Sequence, residues 1–267
     1  MTGRASSGHD KMNIEGLLID LDGVIYQGGK AIPGARTTLE FLGKHDIPFR
    51  CISNTTRKCR QTICTQLSGM GIDIPQDHIV TPPLTAIAYM RQKRKTRFHL
   101  LVTGDVSLDF AGIGGHVPGS TDYVIVGDVG EEATYNNLNT AFRLLMEGAE
   151  LIALEKDRYW MAQDGLALSA GPFVSALEYA TGKTAILMGK PSKTFFDLAL
   201  KDMALPPERV AMIGDDLLTD VGGAKQAGMK GILVRTGKYR EDLLHKSAVA
   251  PDVIIGSVAD VPDILEG

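Results

Sequence analysis

Short apolar runs alternate along the chain with longer stretches in which apolar residues recur every three to four positions. Strands are predicted at residues 17–19, 49–53 and 79–80, and helices between them at residues 34–45 and 58–70. The first run ends abruptly at Asp20, as a buried parallel strand does where it meets a polar loop. The alternation of strand and helix predicts a parallel α/β sheet.

The same alternation starts again after a break at Thr81, Pro82 and Pro83. Its predicted elements are strands at residues 99–103, 123–126 and 151–154, helices at 135–147 and 172–181, and a hairpin over 159–168 around the turn at Asp164 and Gly165. The first sheet is predicted to resume with strands at residues 185–188, 210–213 and 232–234. The pattern therefore indicates a second α/β module inserted into the first.

The predicted fold class is α/β, with a Rossmann-like, doubly wound parallel sheet and an inserted α/β domain. We expect a flexible tail at residues 1–12, a core formed by residues 13–83 and 184–267, and the inserted domain at residues 84–183.

Composition narrows the function classes. Apolar residues make up 44% of the 267 residues and the net charge is −4, so the chain can bury a core but has no general attraction for nucleic acid or anionic membrane. Cys51, Cys59 and Cys64 lack metal-site spacing and are interpreted as reduced thiols of a cytoplasmic protein. No apolar run approaches the roughly 18 residues that would cross a bilayer.

Asp20, Asp22 and Gly23 are the first candidates for chemistry. Taken alone, Asp20 and Asp22 fit a structural role, in a turn or as a helix cap, as well as a functional one. A calcium loop is excluded, because it needs Gly at its sixth position and Glu at its twelfth, which is Ala31 here.

Polar side chains also follow the other predicted core strands, namely Ser53, Lys190, Asp215, Asp216 and Asp220. Ligands of open parallel sheets bind beyond the carboxyl ends of the strands, so we expect these residues to share one site with Asp20. Neighbouring carboxylates cannot all stay ionised without a cation. Ligation by Asp20, Asp215 and a backbone carbonyl predicts Mg²⁺, while Lys190 and Ser53 are suited to a phosphate.

Taken in order, these residues resemble the four motifs of the haloacid dehalogenase (HAD) superfamily. The motifs are residues 20–24 (DLDGV), residues 53–54 (SN), Lys190 and residues 214–220 (GDDLLTD). The insertion between the second and third motifs resembles the larger α/β cap, the C2 type, of the NagD-like branch, subclass IIA. Residues 171–174 and 177–181 resemble a group of this branch that includes a phosphatase of phosphoramidates and pyrophosphate.

The resemblance implies a Mg²⁺-dependent phosphatase. Asp20 would attack phosphorus to form an aspartyl-phosphate, and Asp22 would protonate the leaving oxygen and then deprotonate water. The implied metal ligands are Asp20, Asp215 and the backbone carbonyl of Asp22. Lys190 would hold Asp20 and the phosphoryl group together.

The same resemblance implies supporting roles for the other motif residues. Ser53, Asn54 and Thr55 would cradle the phosphoryl oxygens. Asp216 and Asp220 would orient Lys190 or metal-bound water. The implied partner is a small phosphorylated metabolite chosen by the cap, and a homodimer is compatible with a branch in which dimers form through the cap.

Three other classes share parts of this pattern. Dehalogenases need neither a second Asp nor magnesium, and receiver domains have about half this length. A catalytically weak scaffold or binding protein that keeps the fold is the remaining alternative, and the retained Asp22 argues against it.

Some polar and aromatic residues of the insertion have open interpretations. Tyr159 and Trp160 are predicted to pack on their hairpin rather than to stack on a substrate ring. Asp128 and Glu131 fit a leaving-group contact and surface capping equally well. Residues 112–115, GIGG, are interpreted as an ordinary loop.

Overall fold

The computed structural model describes residues 13–114, 120–162 and 164–266. The predicted tail at residues 1–12 and Gly115 of the predicted loop lie outside these ranges. Within them, no helix combines the length and the apolar character that crossing a membrane requires.

The core contains a parallel sheet, which has six strands within the described ranges. Its spatial order is β14 (Val253–Ile255), β13 (Lys230–Val234), β12 (Val210–Gly214), β1 (Gly16–Asp20), β4 (Phe49–Ile52) and β5 (Ile79–Val80). Both central strands, β1 and β12, are buried along their whole length, which explains why they are almost continuously apolar.

Helices cover both faces of the core sheet. They are α1 (Ala35–Lys44), α2 (Arg60–Gly69), α6 (Lys193–Met203), α7 (Gly223–Gln226), α8 (Glu241–Lys246) and α9 (Val261–Glu266). Alternate residues of β1 point to opposite faces, with Leu17 and Ile19 packing with α1, α2 and α9 and Leu18 packing with α6 and α7. The predicted doubly wound core is confirmed.

A second parallel sheet forms the cap. In the described part of the chain its order is β11 (Ile186–Leu187), β8 (Glu150–Ala153), β7 (Tyr123–Val126) and β6 (Phe98–Leu101). The helices α4 (Tyr135–Met146) and α5 (Ala170–Thr181) pack on one face and α3 (Pro82–Lys93) on the other. The predicted inserted α/β domain is therefore confirmed.

Two antiparallel hairpins complete the strands. One joins β2 (Tyr26–Gln27) to β3 (Lys30–Ala31) beside the end of β1. The other joins β9 (Tyr159–Ala162) to β10 (Gly165–Leu168), as the turn signal predicts.

Two sequence-based predictions about the chain near the cap are wrong. The run at residues 185–188 does not return to the core sheet, since Ile186 and Leu187 pair with β8 of the cap. The prolines at 82 and 83 do not break the chain but open α3, because proline is tolerated in the first turn of a helix. The boundaries at 83/84 and 183/184 remain predictions.

Candidate active site

The carboxyl ends of the core strands face the cap across a cavity of about 700 Å³. All nine residues predicted for the site line this cavity: Asp20, Asp22, Ser53, Asn54, Thr55, Lys190, Asp215, Asp216 and Asp220. The ends of β1, β4 and β12 supply most of them, as expected for an open parallel sheet.

Lys190 joins two buried carboxylates at the base of the cavity. Its Nζ lies 2.7 Å from Asp20 Oδ1 and 2.7 Å from Asp220 Oδ1. All three side chains are almost completely shielded from solvent. Burial alone disfavours the ammonium, but Asp20 and Asp220 raise the pKa of Lys190 well above its ordinary value, so it stays charged.

Asn54 fixes the backbone of Lys190 by a reciprocal pair of hydrogen bonds. The Lys190 N–H donates to Asn54 Oδ1 at 2.7 Å, and Asn54 Nδ2 donates to the Lys190 carbonyl at 3.1 Å. The preceding Gly189 allows this approach, because a Cβ there would lie 2.6 Å from Asn54 Oδ1. Asn54 therefore positions the lysine across a separation of 136 residues.

Asp215 follows β12 and lies between two glycines. A Cβ on Gly23 or Gly237 would lie 2.0 Å or 1.9 Å from Asp215 Oδ2, and both glycines have positive φ. The same oxygen accepts the Lys238 N–H at 2.7 Å. The two glycine turns therefore hold Asp215 toward the cavity.

The carboxylates Asp20, Asp215 and Asp220 are arranged as a metal site would be. Each offers an oxygen within 4.8 Å of the other two, and all three residues are buried. Burial raises the pKa of Asp20 to about 8, against Lys190, and the negative charges of Asp220 and Asp215 add to the rise. Burial and Asp220 likewise raise the pKa of Asp215 to about 6. A cation bound among these oxygens would offset their negative charge and so lower the pKa values of Asp20 and Asp215. The three residues could therefore hold a metal.

Asp22 is an exposed residue of the cavity lining and forms a backbone bridge with Tyr26 of the hairpin of β2 and β3. Although its outer side faces solvent, the surrounding protein raises the pKa of Asp22, with Lys238, Lys190 and Lys58 opposing the rise. Its carboxyl therefore holds a proton more readily than an ordinary aspartate.

The remaining predicted residues lie in two loops. The Thr55 N–H donates to Ser53 Oγ at 3.2 Å, which orients the loop after β4. Asp216 Oδ1 accepts the N–H groups of Leu218 and Thr219 and so caps the helical turn Leu217–Gly222. The Asp216 N–H in turn donates to Asp220 Oδ2 at 3.0 Å, which ties the two acids together.

The cavity also contains residues that the sequence interpretation did not assign. From the core they are Tyr26, Arg57, Lys58 and Lys238, and from the cap Glu155, Asp157, Met161 and Ser169. Lys238 comes a few residues after the end of β13. A positive charge so close to a strand end is the feature of the sequence that could have identified it as a site residue. The cap residues gave no such signal, because only the packing of cap on core makes them line the cavity.

Asp128 and Trp160, whose roles the sequence left open, line the cavity and meet Arg57 there. Arg57 Nη1 lies 3.2 Å from Asp128 Oδ2, and the guanidinium carbon lies 5.2 Å from the centroid of the Trp160 ring. Trp160 therefore packs against a core arginine, while Glu131 is exposed and does not line the cavity.

Comparison with known proteins gives consistent results. The family description "haloacid dehalogenase-like hydrolase" matches residues 17–114, and "HAD-hydrolase-like" matches residues 187–261. Haloacid dehalogenase-like hydrolase domain-containing protein 2 of Bos taurus is 44% identical over 227 residues, covering 85% of this chain and 86% of the relative. Phospholysine phosphohistidine inorganic pyrophosphate phosphatase of Danio rerio is 38% identical over 259 residues, covering 95% of this chain and 94% of the relative.

The fold has a close counterpart among solved structures. The crystal structure of 4-nitrophenylphosphatase from Thermotoga maritima superposes with a TM-score of 0.88 at 30% identity, covering 95% of this chain and 98% of that one. The agreement extends over core and cap together, as the coverage shows. The chain belongs to the haloacid dehalogenase-like hydrolase family.

Proposed function

We propose that this protein is a Mg²⁺-dependent phosphatase that hydrolyses a small phosphorylated substrate through an aspartyl-phosphate on Asp20. The observation that carries the proposal is the buried ion-pair cluster, in which Lys190 bridges Asp20 and Asp220 with Asp215 alongside. A cation beside a carboxylate at the base of a cavity is suited to binding a phosphoryl group next to a nucleophile.

Asp20 is the proposed nucleophile. A carboxylate oxygen of Asp20 forms a bond to phosphorus while the bond from phosphorus to the leaving oxygen breaks. Water then attacks the phosphorus of the acyl phosphate, which releases inorganic phosphate and restores the carboxylate. Lys190 supports both steps by holding Asp20 in place and by offsetting the charge of the phosphoryl oxygens.

Asp22 is the proposed proton carrier. It gives a proton to the leaving oxygen in the first step and takes one from the attacking water in the second. Burial raises the pKa of Asp22, which supports this role because a carboxyl that holds its proton more readily is a better proton donor to the leaving oxygen. Its exposed position in the lining of the cavity also fits, because a leaving group departs toward solvent.

Ser53, Asn54 and Thr55 are the proposed partners of the phosphoryl oxygens. They follow β4 and line the cavity beside Asp20. The side chain of Asn54 is already hydrogen-bonded to the backbone of Lys190. The backbone N–H of Asn54, rather than its side-chain amide, is therefore the better donor to a phosphoryl oxygen. Hydroxyl and amide donors in a turn are well suited to an anion.

Mg²⁺ fits the oxygen donors present. Asp20, Asp215 and the backbone carbonyl of Asp22 would hold it, and the carboxyl of Asp220 lies close enough to contribute. When bound, the ion would supply positive charge that offsets the repulsion between the anionic Asp20 and an anionic substrate.

The relatives indicate the range of substrates to test. One is named for phospholysine, phosphohistidine and inorganic pyrophosphate, and another for 4-nitrophenyl phosphate. We propose that this chain accepts the same chemical classes, phosphoramidates, pyrophosphate and phosphomonoesters, since its cavity of about 700 Å³ suits a small molecule.

The proposal is tested with 4-nitrophenyl phosphate. Asp20→Asn should lower kcat by at least about a thousandfold, because the amide is a poor nucleophile, and chelation of Mg²⁺ should abolish turnover reversibly. Asp197→Asn, an exposed residue of α6 paired with Lys193, is the matched control and should leave kcat unchanged. Undiminished turnover by Asp20→Asn would refute the mechanism, and phosphate binding without metal-dependent turnover would favour a scaffold.

A further inference from the structure

The cap presents three acidic side chains to the cavity, and two of them already have partners. Asp128 forms the ion pair with Arg57. Glu155 accepts hydrogen bonds from Ser169 Oγ at 2.6 Å and from the Ala170 N–H at 2.8 Å, and it also accepts the Asp157 N–H. Glu155 therefore already interacts with the first turn of α5, where the helix dipole favours a carboxylate.

Asp157 is the third acid, and its side chain differs from the other two. Throughout residues 13–114, 120–162 and 164–266, no hydrogen bond or ion pair within 4.0 Å involves its carboxyl. Burial raises the pKa of Asp157, with Lys238 as the main opposing charge. A half-buried carboxylate without a direct partner is unfavourable unless something in the cavity binds to it.

The backbone of Asp157 is nevertheless firmly held. Its N–H donates to Glu155, and its carbonyl accepts the Gly171 N–H at 2.9 Å. Gly171 permits this contact, because a Cβ there would lie 2.4 Å from the Asp157 carbonyl oxygen. The side chain is thus presented to the cavity from a rigid support, as a recognition residue needs to be.

We propose that Asp157 determines specificity by binding a cationic nitrogen, an ammonium group, on the leaving group of the substrate. This inference rests on the proposed phosphatase activity. It places the phosphoryl group at Asp20 and Lys190 on the core side and the positive end of the substrate at Asp157 on the cap side.

The other charges of the cavity favour a cationic group over an anionic one. Lys190 is bound to Asp20 and Asp220, and Arg57 to Asp128. Lys238 interacts with Asp215 and Asp216 more strongly than with Asp157. Lys58 donates to Gln66 and acts on Asp22 rather than on Asp157. A leaving group that carries a negative charge would therefore be repelled by a carboxylate that has no direct partner, whereas an ammonium group would complete an ion pair.

The test compares three phosphate esters that differ in the leaving group: O-phosphoethanolamine with an ammonium, phosphoglycolate with a carboxylate and 4-nitrophenyl phosphate with neither. The wild-type kcat/KM should favour phosphoethanolamine over phosphoglycolate by about tenfold or more. Asp157→Asn should lower kcat/KM for phosphoethanolamine by about tenfold and leave that for 4-nitrophenyl phosphate within about twofold. The loss should lie mainly in KM, because the contact is the same in substrate and transition state.

Two further variants sharpen the test. Glu131→Gln removes a carboxylate from the same cap outside the cavity and should change none of the three values. Asp157→Lys should reverse the preference toward phosphoglycolate, and circular dichroism confirms that each variant is folded.

An equal loss on all three esters in Asp157→Asn would overturn the inference, as would an unchanged preference. If the wild type hydrolyses 4-nitrophenyl phosphate without preferring phosphoethanolamine, the inference fails and the proposed function stands. Absence of turnover on every ester would overturn both.

Discussion

Asp20, Asp215 and Asp220 bring three acidic groups into a buried space where Lys190 pairs directly with only two of them, Asp20 and Asp220. Three carboxylates so close together repel one another, and Lys190 does not offset all of their charge, so the metal-free cluster holds protons more readily than ordinary aspartates do. The raised pKa values of Asp20 and Asp215 follow from their burial and from the negative charge of the neighbouring carboxylates. Proton and metal therefore compete for the same oxygens.

This competition predicts how stability depends on pH. The pKa of Asp20 is about 8 in the folded chain against an ordinary value of 3.8, so between these values the folded state binds a proton that the unfolded state has lost. The free energy of unfolding of the metal-free protein should therefore fall as pH rises through this window, by up to about 1.4 kcal/mol per pH unit for one group. Urea unfolding in the presence of a chelator at a series of pH values measures it.

The same experiment has two internal controls. Asp20→Asn should flatten the pH dependence above about pH 6, where Asp20 is the group that titrates, whereas below it Asp215 still contributes. Asp197→Asn should leave the whole dependence as in the wild type. Saturating Mg²⁺ should raise stability most at the alkaline end, where the carboxylates are ionised. A free energy of unfolding that instead rises with pH in the chelated wild type would contradict the assignment.

At the scale of single elements, the turn after β12 shows how one aspartate positions another. Asp216 caps the turn Leu217–Gly222 with its side chain, while its N–H holds Asp220 at 3.0 Å. Gly214 makes room, because a Cβ there would lie 2.2 Å from the Cβ of Asp220. The turn therefore delivers Asp220 to Lys190.

Asp216→Asn and Asp216→Ala separate a capping role from a role of the negative charge. Asparagine caps as well as aspartate, so Asp216→Asn should keep both stability and activity. Asp216→Ala leaves the Leu218 and Thr219 N–H groups without their acceptor and should cost about 1 to 2 kcal/mol. Thermal unfolding measures the stability of the two variants, and the kinetics of 4-nitrophenyl phosphate hydrolysis measure their activity. Equal loss of activity in both variants would show that the charge itself matters.

The sequence identified Asp20, Ser53 and Asp215 because each of them follows an apolar run that forms a strand of the core. Asp20, Ser53 and Asp215 could be placed together by the rule that parallel strands present their carboxyl ends at one edge. The run at 185–188 was misassigned, because four apolar residues carry no information about which of two sheets they join. β14, at the edge of the core sheet, was not predicted.

At the scale of the whole molecule, one loop serves both the core and the cap. Residues 53–55 of this loop line the cavity, and the residues that follow are bound to the cap. Asp105 of the cap accepts the Cys59 N–H at 2.7 Å and the Thr62 hydroxyl at 2.5 Å. Thr56 Oγ1 accepts the Asp128 N–H at 2.8 Å. The cap thus holds the segment that is proposed to bind phosphate.

Asp105→Ala tests this dependence. Loss of the acceptor leaves the Cys59 N–H unpartnered and should lower the free energy of unfolding by about 1 to 3 kcal/mol. It should also lower kcat/KM for 4-nitrophenyl phosphate by about tenfold, because small displacements of binding groups are costly. Asp77→Ala, at an exposed position of the core, is the control. A loss of stability with unchanged kinetics would show that the cap contact does not position the loop.

The cap side of the cavity was the least predictable part from sequence. Arg57 lies far along the chain from Glu155 and Asp157, and nothing in the local pattern of either segment indicates that they face one space. Their meeting depends on how the cap packs on the core, which involves many weak contacts and no motif. Asp20, Ser53 and Asp215, by contrast, each follow directly from the end of a core strand.

The placement of β11 limits how the protein can be recombined. Leu187 ends β11, an edge strand of the cap sheet, and Lys190 at the base of the cavity follows three positions later. A chimera that exchanged caps at residues 183/184 would separate the transferred cap from its own edge strand. It would also leave β11 of the recipient without the β8 strand of its own cap. A junction at Gly189 keeps the cap sheet whole and leaves the lysine with the core, so cap exchange by engineering or by gene fusion should succeed there.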